Sequence, residues 1–546
     1  MYPVDGQVGR NYARSMVLSR HGIAATSQVT ASQSAAQILA RGGSAVDAAI
    51  AANAVLAVLE PMQCGLGGDL FVLHWEAATG KLTGLNASGP APRALCPEYL
   101  APKGFDAMPP DGIHSVTVPG AVEGWGRIHA RFGRLPWKSL FSDAIALARE
   151  GFPAAEGIAE LWAEPLSLTK MRANPESARV FLAGGKAPSE GDLFRNPDMA
   201  RAFELISGEG PDTFYKGDVA ATILKTSQSL GGAMTEEDLS TFSSEWVEPI
   251  SIDYRGWRVC ELPPNSQGIA ALEMLNFMET SPADSHGPHG PNEMHKRIEA
   301  MKLAYADVYR YNADPHFSNC PVNDLLSKDY ARARAMLIDP ARANCQVPAG
   351  QPIAGDTTYL TVVDRDGNIA SWIQSIYTNF ASAVTVDGMG FVLQSRGGGF
   401  NLDATHPNVL AGGKRPFHTI IPGFMERGHQ RIGFGIMGGP NQPLAHAQFV
   451  SNVVDYGMNI QAALEAPRFT KRTSTGCDVW IESRVPADTL RQLSERGHEI
   501  SVRREYTQEM GRGQAILHDS NTGINYAASD PRADGAAIPE PVITRA

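Results

Sequence analysis

The sequence has no paired-cysteine motif, no long apolar run and no basic stretch, and each absence removes a class of protein. Its six cysteines, Cys64, Cys96, Cys260, Cys320, Cys345 and Cys477, stand singly without a CxxC pair. Neither a zinc ribbon nor a disulfide framework is indicated, and all six are expected to be buried or free thiols. Nowhere do enough apolar residues run together to cross a membrane. Residues 1–25 carry charges throughout and lack the apolar core of a secretory signal, which makes the cytoplasm the default location. A net charge of -11 with no Lys/Arg run excludes a general nucleic-acid binder.

What is present is 43% apolar residues, 54 glycines and 37 prolines over 546 positions, the composition of a loop-rich globular protein with enough chain for a sizeable core. Residues 27–40 and 44–59 read as two helices split at Gly42-Gly43. Gly65-Leu66-Gly67-Gly68-Asp69 then leads into a strand over 70–75. These glycines mark a close backbone approach rather than a phosphate loop, because no Gly-Lys-Ser/Thr follows. Helical patterns recur at 137–149, 196–206, 269–278 and 292–310, with one strand over 250–259. His286, His289 and His295 lack a carboxylate frame and read as solvent-facing or capping residues, so no metal is expected.

Beyond Asp356 the pattern turns to strands, at 358–364, 369–376, 390–393 and 432–436, with helices only at 445–456 and 460–465. Asp366-Gly367 joins the first two strands as a hairpin. Gly433-Phe434-Gly435-Ile436-Met437-Gly438 is a literal GxGxxG, with Asp455 placed like a ribose-binding acid. That would suit a nicotinamide- or flavin-dependent oxidoreductase. However, Pro440 and Pro443 occupy the turn, and Asp455 ends a helix instead of a second strand, so no dinucleotide cofactor is expected.

The Asp356-Thr357 pair at the mouth of the first strand carries a different chemistry. If that bond were cut, Thr357 would hold both a hydroxyl nucleophile and a free α-amine to serve as its base. Such an amine has an unperturbed pKa of about 7.7 to 8.0, close to what a base at neutral pH needs.

A series of ordered motifs supports this chemistry by likeness. Gly42-Gly43-Ser44-Ala45-Val46-Asp47, Val118-Pro119-Gly120, Gly208-Glu209-Gly210-Pro211-Asp212-Thr213, Lys414-Arg415-Pro416, Gly438-Gly439 and Asp455-Tyr456-Gly457-Met458-Asn459 resemble the γ-glutamyltransferase family of N-terminal nucleophile hydrolases. The resemblance runs over nearly the whole chain. It implies an α/β fold, a four-layer αββα sandwich. It also implies a precursor that cleaves itself into a mostly helical piece, 1–356, and a strand-rich piece, 357–546, which remain one co-folded unit. Thr357 would be the nucleophile, Ser375 would hold its α-amine, and Gly438 and Gly439 would form an oxyanion hole. His418 and Thr419 align with two serines near the family's substrate, and Tyr359 and Tyr377 are placed in the pocket with them. No cofactor or metal is implied. The partners are a small-molecule amide and the two pieces of the one precursor, with self-association left open.

The likeness breaks at the substrate anchors. Where the family holds a glutamyl carboxylate with arginine the chain has Ser88, and where it holds the amine with aspartate the chain has Gly399. Each lost charge-assisted contact is worth about 1.5–3 kcal/mol. Arg396, near a family glutamine, is either a new carboxylate anchor or a partner for a nearby buried group. The lid region, 401–413, is short, which favours hydrolysis over transfer. These departures resemble the branch that contains oxamate amidohydrolase and the cephalosporin acylases. The expected activity is therefore an N-terminal threonine amidohydrolase acting on a γ-glutamyl or small acidic amide such as oxamate. A cephalosporin-type acylase and a catalytically silent binding protein are the alternatives.

Overall fold

Strand Asp356–Val363 turns Tyr359 and Val363 to one side and Leu360 and Val362 to the other, and all four are buried. A strand that is apolar on both faces must be covered on both. The computed structural model, which describes residues 12–347, 356–473 and 476–542, provides that cover. The strand lies within a seven-stranded sheet ordered Ala536–Pro539, Ile23–Thr26, Asp356–Val363, Ile369–Tyr377, Asp69–Glu76, Lys81–Ala87, Glu245–Val247. A second sheet faces it, ordered Val17–Ser19, Ile524–Ser529, Arg512–Asp519, Gln430–Met437, Gly423–Arg427, Trp257–Glu261, Ile250–Tyr254.

Three apolar clusters fill the spaces between the layers. Tyr359, Val363, Phe71 and Ile373 meet Phe424, Met437 and Ile516 between the two sheets. Leu360, Val362, Leu70 and Trp372 pack outward on the helices Val29–Ala40 and Ala45–Leu59. On the far side, Ile432, Phe434 and Met425 pack on the helices Gly268–Glu279, Pro291–Tyr311 and Gln442–Val454. The result is a four-layer αββα sandwich. In both sheets, strands from before residue 356 sit beside strands from after it.

The GxGxxG run is explained by this packing. A methyl group added at Gly433 would lie 2.8 Å from Thr361 Oγ1, and one at Gly435 would lie 2.4 Å from the Tyr359 ring. These two glycines let the facing sheets close, and Asp455 serves structure, accepting from Tyr254 Oη at 2.6 Å and pairing with Arg255 at 2.7 Å.

Several sequence expectations are corrected. The strand expected over 250–259 is a hairpin turning at Arg255-Gly256, where both residues have positive φ and the alternation continues through the turn. The helix expected over 137–149 is broken into a 3-10 turn, Trp137–Leu140, and a helix, Ser142–Glu150. Residues 390–393 form no strand but two isolated bridges, Val392 with Thr385 and Leu393 with Gly67. The C-terminal region has a further helix, Ala487–Glu495, beside a parallel strand pair, Asp478–Glu482 and Glu499–Arg503. His295 is buried and not solvent-facing, with its ring nitrogens 2.8 Å from His498 Nε2 and 2.8 Å from the Asp339 carbonyl. Cys345 and Cys477 are not free thiols but a disulfide across 132 positions, a pairing that spacing alone does not show. Among the described residues no helix is long and apolar enough to cross a membrane.

Gly435→Ala is expected to lower stability by about 1–3 kcal/mol through overpacking against Tyr359. The urea midpoint should fall with an unchanged slope, and an unchanged midpoint would show that the two sheets have slack there.

Candidate active site

Thr357 sits opposite a β-bulge. Asp356 pairs with Tyr377 and Thr358 with Gln374, so two residues of the neighbouring strand, Ser375 and Ile376, face the single residue Thr357. A bulge re-aims a side chain, and bulges are enriched beside active sites. The side chain of Asp356 lies outside the described residues. Thr357 is fully buried, its hydroxyl 3.4 Å from Ser375 Oγ and 3.4 Å from Gln442 Nε2.

From Ser375 the contacts lead to a buried cation. Arg396 Nη2 donates to Ser375 Oγ at 3.3 Å and Nη1 donates to Thr419 Oγ1 at 2.8 Å. The guanidinium lies over the Tyr377 ring, 4.0 Å from its centroid, and Nε has no hydrogen-bond partner. Arg396 is fully buried, and among the described residues no carboxylate pairs with it directly. Burial lowers its pKa to about 10, against the opposing fields of Tyr377 and Asp69, so it remains charged at neutral pH.

Asp69 opens the strand that follows the early glycine cluster. Its Oδ1 accepts from the N–H of Gly89 at 3.0 Å, that of Gly120 at 3.3 Å and Gln394 Nε2 at 2.9 Å. Its Oδ2 is 2.9 Å from His418 Nε2. The Ile420 N–H points at His418 Nδ1, 3.4 Å away, which leaves Nε2 to carry the proton toward Asp69. Burial and the nearby Arg396 charge hold His418 neutral, well below the ordinary imidazole range. Burial pushes Asp69 from 3.8 up to about 7, against the pull of Arg396 and of its N–H donors.

Gly438 and Gly439 end strand Gln430–Met437 and lead into helix Gln442–Val454. Their φ values of 137° and 57° place both in the left-handed half of the map, which glycine alone enters without strain. Gln267 Nε2 reaches both the Gly439 carbonyl at 2.9 Å and the Thr419 carbonyl at 2.5 Å, joining this turn to the Arg396 side of the site. A cavity of about 560 Å³ opens beside Gly438, bordered by Glu164, Asn379, Arg503 and Arg512. A second, of about 530 Å³, is bordered by Tyr309, Asn344, Val347, Gly399 and Phe400.

The structure therefore brings together Thr357, Ser375, Arg396, Tyr377 and Thr419, and it places Gly438 and Gly439 next to them through Gln442 and Gln267. His418 joins indirectly, through Asp69. Tyr359 does not: its hydroxyl is 2.8 Å from Ser371 Oγ and its ring packs between the sheets against Gly435, so it is a core residue. Ser88 and Gly399 are likewise occupied by structure. Ser88 Oγ donates to Asn86 Oδ1 at 2.7 Å, and the Gly399 carbonyl accepts from Asn408 Nδ2 at 2.7 Å. Sequence reasoning missed Asp69, Gln267, Gln394 and Gln442. Only Asp69 had a signal, as the acid closing the Gly67-Gly68-Asp69 turn.

The gamma-glutamyltranspeptidase family profile matches residues 31–540. The chain belongs to that family, whose fold is the αββα sandwich of N-terminal nucleophile hydrolases. It is 36% identical to the glutathione hydrolase-like YwrD proenzyme of Bacillus subtilis, with 96% of this chain and 98% of that protein covered. It is 33% identical to the oxamate amidohydrolase proenzyme of Klebsiella pneumoniae, covering 95% and 98%. Among solved structures, the cephalosporin acylase of Bacillus halodurans superposes with a TM-score of 0.91 at 39% identity, covering 98% of this chain and 99% of that one. All three relatives are named as amide-cleaving enzymes or as likenesses of one.

A carboxyl whose folded pKa is raised binds its proton more tightly when folded, so its stabilising contribution is largest below the unfolded pKa and is lost as pH rises through the folded value. For Asp69 that window runs from 3.8 to about 7. Urea unfolding of wild type and Asp69→Asn across this window should show wild type losing ground to the variant as pH rises. A difference independent of pH would mean that Asp69 is ionised throughout.

Proposed function

We propose that the chain is the precursor of an N-terminal threonine amidohydrolase, which cleaves itself between Asp356 and Thr357 and then hydrolyses a small amide whose acyl part carries a carboxylate. The single observation behind the substrate reading is Arg396, a fully buried guanidinium with no paired carboxylate among the described residues, whose contact Ser375 also touches Thr357. An anionic acyl group would supply the missing counter-charge through the planar fork of the guanidinium.

In this reading the free α-amine of Thr357 takes the proton from its own Oγ as that oxygen attacks the amide carbonyl. The N–H groups of Gly438 and Gly439 hold the oxyanion, and losing one such donor typically costs about 3–4 kcal/mol. The ammonium then returns its proton to the leaving amine, and water, deprotonated by the same amine, releases the acid from the Thr357 ester. Ser375 holds the α-amine, and Gln442, which donates to Thr357 Oγ1, orients the hydroxyl. The named activities of the oxamate amidohydrolase and the acylase fit an acyl pocket of this kind. A γ-glutamyl head fits it less well, because Gly399 offers no carboxylate for an amine. A cephalosporin-type acylase is the second reading, favoured by the 39% identical acylase structure.

Two results test this. Incubated wild-type protein should yield a fragment whose first residue is Thr357, while Thr357→Ala should remain a single folded chain. A wild-type protein that never divides overturns the mechanism. Arg396→Leu should lower kcat/KM for an acidic amide such as oxamate by about 10- to 150-fold, the equivalent of one charge-assisted contact, and affect a neutral amide of similar size much less. An equal loss on both would assign Arg396 to structure instead of substrate.

A further inference from the structure

The disulfide between Cys345 and Cys477 spans the proposed cleavage bond: Cys345 precedes Asp356 and Cys477 follows Thr357. We infer that in the matured enzyme this bond is an interchain tether, which holds the C-terminal end of the first piece on the second. The inference rests on the proposed cleavage for its interchain character, while the bond itself stands apart from it.

The surroundings bring the two sulfurs together without the bond. The Ala343 N–H donates to the Arg496 carbonyl at 2.8 Å, tying the segment before Cys345 to the second piece. The Asn344 N–H donates to Glu299 Oε2 at 3.2 Å, and Lys302 Nζ donates to the Asn344 carbonyl at 3.0 Å. On the other side, the Glu499 N–H donates to the Cys477 carbonyl at 2.8 Å. Cα atoms 5.0 Å apart meet the distance a disulfide requires. Lys302 Nζ stands 4.0 Å from Cys477 Sγ, and an adjacent ammonium favours the thiolate through which thiol–disulfide exchange proceeds. Oxidation removes two protons and two electrons from the thiols, and a disulfide oxidant such as oxidised glutathione takes them up and becomes two thiols.

The buried cluster beneath, His295, Glu299 and His498, has the composition of a metal site. Lys302 Nζ, 2.7 Å from Glu299 Oε1, already supplies its cation, so the cluster serves as part of the platform for the tether. The tether also has a local consequence. Asn344, Gln346 and Val347 form one wall of the 530 Å³ cavity that reaches Gly399 and Phe400. Once the chain is cut, that wall belongs to a chain end, and the disulfide keeps it in place.

Unreduced protein alkylated with iodoacetamide and digested with trypsin decides the matter. The expected species is a peptide 343–356 joined to 473–484, which separates on reduction. A linked species containing 343–365 would show the bond in an undivided chain. The cleavage reading would then have failed, and the interchain role with it. Both cysteines carrying the alkyl label before reduction would overturn the bond itself. As a functional readout, wild type partly unfolded in denaturant should regain activity regardless of protein concentration, because its pieces stay joined. Cys345→Ser should mature normally yet regain activity only in proportion to concentration, and concentration-independent recovery in that variant would overturn the tether.

Discussion

A buried guanidinium is the group around which the site is arranged. Taking a full charge out of water is expensive unless partners replace the lost hydration, and Arg396 has only partial replacement in Ser375, Thr419, the face of Tyr377 and the more distant field of Asp69. Each partner is fixed by something else. Thr419 is held by its neighbour His418, whose ring is anchored on Asp69, and Asp69 is held by the backbone of two loops, at Gly89 and Gly120. The strained backbone of Tyr377, at φ 94°, pairs with Asp356 at the end of the bulge that faces Thr357. The geometry at Thr357 thus depends on a network that begins with one incompletely compensated charge.

The sandwich gives this network a rigid frame. Both sheets interleave strands from the two sides of the Asp356–Thr357 bond, so division there would separate neither sheet from its partner strands. The inter-sheet space is closed by small residues opposite large ones, Gly435 under Tyr359 and Gly433 under Thr361 and Ile369. The same strand that supplies these glycines ends at Gly438, so close sheet packing and the glycine turn beside the site come from one stretch of chain.

Much of this was legible from residue order. The helices at 29–40 and 45–59 and the strands around Thr357 and Ser375 show strong periodicity over long runs, and the structure reproduces them within a residue or two. The candidate constellation of Thr357, Ser375, Gly438 and Gly439 came from the resemblance to the γ-glutamyltransferase family, because a threonine at the head of a strand is by itself usually only a β-branched residue on a pleated surface. What stayed hidden was tertiary in origin. Asp69, Gln267, Gln394 and Gln442 reach the site only through packing, and a lone glutamine gives no pattern to read. Tyr359 shares a face with the site but lies deeper along the strand, a distinction alternation does not carry. The Cys345–Cys477 pair is too far apart in sequence for spacing to suggest it, and the turn at Arg255-Gly256 is masked by apolar residues on both sides.

The proposed chemistry requires a covalent intermediate at the Thr357 hydroxyl. Acid quenching during turnover of an activated acidic amide, followed by tryptic mass analysis, reads it out. The expected peptide is 357–365 with a free α-amine and the mass of one acyl group on Thr357. Acylation at another residue, or Thr357 recovered unmodified within an undivided 343–365 peptide while substrate is consumed, would contradict it.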